Sequence, residues 1–132
     1  MLELAKEYDL PIRLPVAQGA GSTLLGLPDE LVEPMFERAP QLLQQFDVRH
    51  PDAFFASFYD LSATKEEFLR IVDGLGDGVF EVMTHPGYSD ADLAASSGYA
   101  VQRERELAIL TDAEVIAEIR KRNIELVSFA QI

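Results

Sequence analysis

His85 has a residue type and a position suited to chemistry. An imidazole can give or take a proton near neutral pH. This one follows Val79-Phe80-Glu81-Val82-Met83-Thr84, which reads as a strand, and precedes Pro86-Gly87-Tyr88, where the Pro-Gly pair predicts a turn. Strand ends are where α/β folds present catalytic groups. The position equally suits a partly exposed loop histidine whose ring only caps local backbone, so residue type alone leaves both readings open. Alternation along the strand puts Val79, Glu81, Met83 and His85 on one face and Phe80, Val82 and Thr84 on the other. A carboxylate inside such an apolar strand is costly unless paired. Arg13 is the attractive partner, because a guanidinium can meet a carboxylate in bidentate geometry. Such a pair can serve packing, or it can orient a substrate or His85.

Other chemistry-bearing residues point to bland roles. His50 precedes Pro51 and Asp52 with no His or Cys at metal-ligand spacing, and reads as a solvated loop residue. Asp90 and Asp92 could hold a cation, but negative charge there also fits a helix start. Ser57, Ser89, Ser96, Ser97 and Ser128 lack a nucleophile-elbow motif. Arg103-Glu104-Arg105-Glu106 alternates charge in the manner of a solvated helix face, with Leu107, Ile109 and Leu110 expected to do the burying. The connection from Gln18 to Gly26 is rich in glycine, yet it matches neither the P-loop nor the G-x-G-x-x-G spacing.

The elements that must position these residues alternate between strand and helix patterns, which predicts an α/β chain. Leu2 to Tyr8 has helical spacing, and Pro11 to Val16 reads as a short strand carrying Arg13. Asp29 to Phe46 is helical in pattern, but Pro34 and Pro40 predict two short helices. Ala53 to Tyr59 is a second, aromatic strand. Thr64-Lys65-Glu66-Glu67 is a capping box opening a helix that ends at Gly74, Gly76 and Gly78. After the Val79 to Thr84 strand, Gly98 to Leu110 is helical. Thr111-Asp112-Ala113-Glu114 is a second capping box for a helix ending near Asn123, and Ile124 to Phe129 closes as a last strand. About four strands alternating with helices is the material of half a (β/α) barrel, too short to close one that takes around 250 residues, or of a four-stranded open sheet whose exposed edges need a partner or a covering loop. Residues 1–132 are thus read as a single partial domain.

Composition excludes several function classes. The chain has 132 residues and no Cys, and its 11 Lys and Arg against 23 Asp and Glu give a charge of −12, which repels a phosphate backbone. No apolar run approaches the roughly 18 residues of a spanning helix. The acidic start, with Glu3, Glu7 and Asp9, is unlike a signal peptide, and the absence of Cys suits a reducing compartment. The expectation is a cytoplasmic protein with neither nucleic-acid nor membrane partners.

Leu10-Pro11-Ile12-Arg13, Phe54 to Tyr59, Gly78 to Tyr88, Arg103-x-x-Glu106-Leu107-x-x-Leu110-Thr111 and Ile124 to Phe129 together resemble the carboxy-terminal half of the YdjC-like carbohydrate deacetylases, over nearly the whole chain and in the same order. The resemblance implies part of a distorted (β/α) barrel. It also implies a hydrolase that removes N-acetyl groups from amino sugars or oligosaccharides with water activated by a divalent metal, Mg or Zn, acting as Lewis acid. In that mechanism an upstream Asp is the base and a histidine after a late strand protonates the leaving amine. By the same likeness His85, in the H-P-G motif, is the catalytic histidine. Arg13 and Glu81 bind or frame the substrate, and Tyr88 lines the sugar pocket.

The family's metal ligands, an Asp and two His, lie in motifs that precede the stretch matched here. No metal ligand is therefore assigned in this chain, and no metal is expected on it alone. The chain reads as a truncated gene product, a deliberate fragment or one subunit of a split enzyme. It would be completed by the missing amino-terminal half or would self-associate through uncovered strand edges. Three functions stay open: the general-acid half of a deacetylase; a non-catalytic structural or binding module derived from one; and a metal site built by dimerisation from two His85 residues with Asp90 or Glu81.

Overall fold

The computed structural model describes residues 1–13, 17–18 and 29–132, and falls into two compact units. The described chain is mixed α/β, with six α-helices and a three-stranded parallel sheet. The expected Gly-rich connection, from residue 19 onwards, and residues 14–16 of the expected first strand lie outside the described residues.

The first unit comprises Met1–Ala56, Asp77–Val82 and Val127–Ile132. It contains α1 (Leu2–Glu7), β1 (Ala17–Gln18), α2 (Asp29–Phe46), β2 (Ala53–Phe55) and β3 (Phe80–Val82). The sheet order is β1-β2-β3, with Ala17 opposite Phe54, and Phe54 in turn opposite Glu81. Ala5, Ala39, Leu43, Val48, Ala53, Phe54 and Ala56 are buried. Asp52 pins β2 to β3: its N–H donates to the Val79 carbonyl, and its Oδ2 accepts from the Val79 N–H, both at 2.7 Å. The neighbouring Gly78 has φ +136°, which favours glycine, and a Cβ there would lie 2.7 Å from that same Oδ2 and push the Asp52 carboxylate off its bond to Val79.

Three expectations are corrected in this unit. Residues 11–13 are not a strand, and Arg13 therefore acts from an irregular segment. Asp29–Phe46 is one helix, not two. Each proline removes a single i→i−4 bond, and the flanking turns carry the helix past it, with Ala39 and Leu43 stacked one turn apart on its buried side. The second strand closes at Phe55, four residues before Tyr59.

The second unit comprises Ser57–Gly76 and Met83–Leu126, with α3 (Lys65–Asp73), α4 (Ala91–Ser96), α5 (Val101–Leu110) and α6 (Ala113–Lys121). Phe58, Ala63, Phe68, Ile71, Val72, Ala100 and Val115 form its core, with the Phe58 and Phe68 rings edge to face at 5.3 Å. Helices α3 and α6 run side by side in the same sense. Lys65 at the start of α3 meets Asp112 and Glu114 at 3.0 and 2.5 Å, and Asp73 at its end meets Arg122 at 2.5 Å.

Local signals decide these helices. The Thr64 hydroxyl accepts from the Glu67 N–H, as the capping box predicts, but the Glu67 carboxylate turns to Ser57 and Arg70 instead of closing the box. Helix α6 is capped by Asp112, not Thr111, whose hydroxyl donates back to the Leu107 carbonyl. Asp90 caps α4 by accepting from the Leu93 N–H, with Asp92 in the first turn, so both carboxylates sit at a helix start. Asn123, at φ 56°, ends α6 where expected.

The expected closing strand is absent. Residues 124–128 have no ladder partner among the described residues, and Leu126 is 79% exposed, so β propensity there has nothing to pair with. With three described strands rather than four, the sheet is smaller than the part of a barrel expected from the sequence.

Candidate active site

Within the second unit, the segment from His85 to Ser89 is laid along the first turns of α5 by alternate N–H groups. The His85 N–H donates to Glu106 Oε2, the Gly87 N–H to the Arg103 carbonyl at 3.2 Å, and the Ser89 N–H to Glu104 Oε1 at 2.9 Å. Because these donors are satisfied by a neighbouring helix, Pro86-Gly87 runs on as irregular chain and the predicted turn does not form. Strand β3 closes at Val82, so the alternation that would put His85 on the face of Glu81 stops before it reaches His85.

Aromatic rings and one carboxylate surround the imidazole. The Tyr59 and Tyr99 rings meet it edge to face at 5.4 and 5.6 Å, and are stacked on each other at 4.7 Å. His85 Nδ1 is buried and lies 3.8 Å from Glu106 Oε1, while 29% of the side chain is exposed, through its other atoms. Glu106 is fully buried, and its Oε1 also accepts from the Tyr99 hydroxyl. The Tyr99 oxygen in turn accepts from the Asp60 N–H at 3.0 Å. Burial, and then its bond to the Glu106 carboxylate, push the Tyr99 phenol up to about 12.

The Arg103-Glu104-Arg105-Glu106 run is therefore only in part the solvated face its charge pattern suggests: Glu104 and Arg105 are exposed, Arg103 is half-buried and Glu106 is buried. Glu104 and Glu106 bond the His85 segment, and Arg103 Nε donates to the Tyr99 carbonyl at 2.9 Å while its guanidinium lies 5.8 Å from the Tyr99 ring. The residue of α5 that is fully buried is Glu106, whereas Leu107, Ile109 and Leu110 are only half-buried. Glu106, Tyr99 and Tyr59 were missed by residue-level reasoning. The one signal for Glu106 was its place in the R-x-x-E-L motif, because charge alternation on a helix carries no information about burial.

The first unit holds a separate arrangement. Arg13 Nε and Nη2 both donate to Glu81 Oε1, at 2.8 and 2.5 Å, and the guanidinium lies 4.6 Å from the Phe54 ring centroid. The pairing read from the sequence is present, but as a fork on one oxygen; Glu81 Oε2 is buried without a partner among the described residues. Tyr88 is 85% exposed. His50 is half-buried, with Nδ1 2.7 Å from the Pro51 carbonyl.

Among the described residues no three His, Cys, Asp or Glu side chains group into a cation site. Glu106, the carboxylate nearest His85, is already engaged by two hydrogen-bond donors. The described side chains do not fit the Asp-His-His set that the family resemblance implies.

Comparison with known proteins finds relatives of the chain. The family model described as YdjC-like protein matches residues 1–121. A carbohydrate deacetylase of Geobacillus stearothermophilus is 35% identical over 98% of this chain and 43% of its own length. A carbohydrate deacetylase of Brevibacillus brevis is 34% identical over 100% of this chain and 46% of its own. A crystal structure from Enterococcus faecalis, described as that of a candidate cellobiose-phosphate cleavage protein, superposes with a TM-score of 0.72 at 32% identity, covering 98% of this chain and 44% of the other. The chain spans about half the length of the relatives it matches, and the structural neighbour supports a related fold.

Proposed function

The chain belongs to the YdjC-like family, and from that premise we propose that it is the partial domain of a carbohydrate deacetylase that carries the proton donor for N-acetyl removal from an amino sugar or oligosaccharide. The observation that carries this reading is His85 itself. One ring nitrogen is buried facing a buried carboxylate, while the rest of the ring keeps access to solvent. That asymmetry suits a group that delivers a proton from one side and is steadied from the other.

Amide hydrolysis releases a poor leaving group unless the nitrogen is protonated as the C–N bond breaks, and this is the step assigned to His85. The Arg13–Glu81 pair supports a second role: it presents a half-exposed guanidinium, able to hold a carbonyl or hydroxyl oxygen of the sugar. Tyr88, being exposed, is available to a sugar ring. The divalent metal implied by the family resemblance would take its ligands from outside this chain, and no step here is routed through it.

The test is a chimera in which this chain replaces the matching stretch of the Geobacillus stearothermophilus relative, with acetate release from an N-acetylated chito-oligosaccharide as the readout. Activity is expected, and His85→Ala should lower it by about 100-fold or more, the usual contribution of a general acid. A folded chimera without acetate release would favour the non-catalytic binding module. The isolated chain is expected to be at background; activity from it that His85→Ala abolishes would overturn the partial-enzyme reading.

A further inference from the structure

We propose that Glu106 is a positioning residue: held by Tyr99, it fixes His85 with a proton on Nδ1, so that Nε2 is the nitrogen that takes up a second proton and passes it to the leaving amine. The consequence for catalysis rests on His85 being the proton donor, but the tautomer itself does not.

The argument starts from the cost of a buried charge. Glu106 is sealed from water, so its carboxylate must be met by donors or a cation. Two donors are present. The His85 N–H takes Oε2 and the Tyr99 hydroxyl takes Oε1. The tyrosine has one proton, and since its oxygen accepts from the Asp60 N–H, that proton is committed to Glu106. Asp60 is held in turn, its Oδ1 accepting from Gln102 at 3.2 Å.

What remains is the free lone-pair capacity of Oε1, and His85 Nδ1 lies 3.8 Å from it with no other partner. A bare Nδ1 lone pair would face a carboxylate oxygen across that gap, repelled by it and with no donor of its own. A proton on Nδ1 turns that repulsion into attraction, and only the gap has to close for the two to bond. Arg103, the nearest cation of α5 to this network, is directed at the Tyr99 carbonyl and ring face instead. The edge-on rings of Tyr59 and Tyr99 hold the imidazole plane. A separation of 3.8 Å is longer than a hydrogen bond, and free enzymes commonly close such gaps only when loaded.

The experiment reads the proton position directly, from long-range 1H–15N spectra of the imidazole in the full chain. The sequence has two histidines, so His50→Gln leaves one ring to assign. The neutral His85 ring is expected with its proton on Nδ1. Glu106→Gln, which keeps volume and removes charge, should raise the Nε2–H fraction several-fold. Tyr99→Phe, which frees Oε1 for the imidazole alone, should keep Nδ1–H.

An Nε2–H ring in the wild type or in Tyr99→Phe overturns the proposal, as does an unchanged ratio in a folded Glu106→Gln. Should Glu106→Gln fail to fold, the other two proteins decide it. The readout needs no turnover. An Nδ1–H ring beside an inactive chimera would sink the proton-donor reading and uphold Glu106, whereas a His85-dependent chimera with an Nε2–H ring would sink Glu106 alone.

Discussion

Arg13 and Glu81 share one ion pair but not one environment, for the arginine side chain is 52% exposed and the glutamate side chain 13%. Removing the arginine strands a carboxylate that water barely reaches, while removing the glutamate leaves a cation that solvent can still reach. Arg13→Ala is therefore expected to cost about 2 kcal/mol and Glu81→Ala about 1 kcal/mol, read as shifts in the urea midpoint; equal losses, or the reverse order, would contradict the burial argument. Tyr99 gives a second prediction. Its phenol, raised to about 12 from the ordinary 10.0, holds its proton more tightly folded than unfolded. The stability this contributes is fully present below about pH 10 and is lost as pH rises through about 12. A phenolate absorbance step near 12 should vanish in Tyr99→Phe, and its persistence would assign it elsewhere. At this scale the Arg13–Glu81 pair was legible because a carboxylate inside an apolar strand demands a cation. Glu106 was not, because its helix neighbours are charged and its burial depends on Tyr99 and the His85 segment packing over it.

Helix ends are where sequence signals are strongest, since a cap acts within one turn and needs no distant partner. Thr64 and Asn123 do what their types predict. At Thr111-Asp112 two residues compete for one cap, and the aspartate takes it with bonds to the Glu114 and Val115 N–H groups. Thr64→Ala should therefore lower stability by about 1 kcal/mol, while Thr111→Ala should stay within about 0.5 kcal/mol, both measured by denaturant unfolding. A larger loss at Thr111 would mean that the cap had been misplaced. Strand signals fare worse for a physical reason. Residues 124–128 are as apolar as a strand should be, yet a strand exists only beside another, and the sequence does not say which neighbour is on offer. Helix α2 errs the other way: proline rules are local, and packing of Ala39 and Leu43 carries the helix across Pro40.

For the molecule as a whole, the chain spans about half the length of its relatives, and among the described residues no group of three His, Cys, Asp or Glu could hold a metal ion. Each histidine turns one ring nitrogen inward, His50 Nδ1 to the Pro51 carbonyl and His85 Nδ1 towards Glu106, and Asp90 is occupied as the cap of α4. A net charge of −12 draws divalent cations loosely to the surface, but such binding is screened at physiological ionic strength. Untagged protein dialysed at about 0.15 M salt should thus retain less than about a tenth of an equivalent of divalent metal per chain, measured alongside its mass in solution. One equivalent per chain or per pair of chains would overturn that expectation. If it came with a doubled mass, it would point to donors gathered between copies, with two His85 residues and Glu81 or Asp90 released from their present partners to form the site.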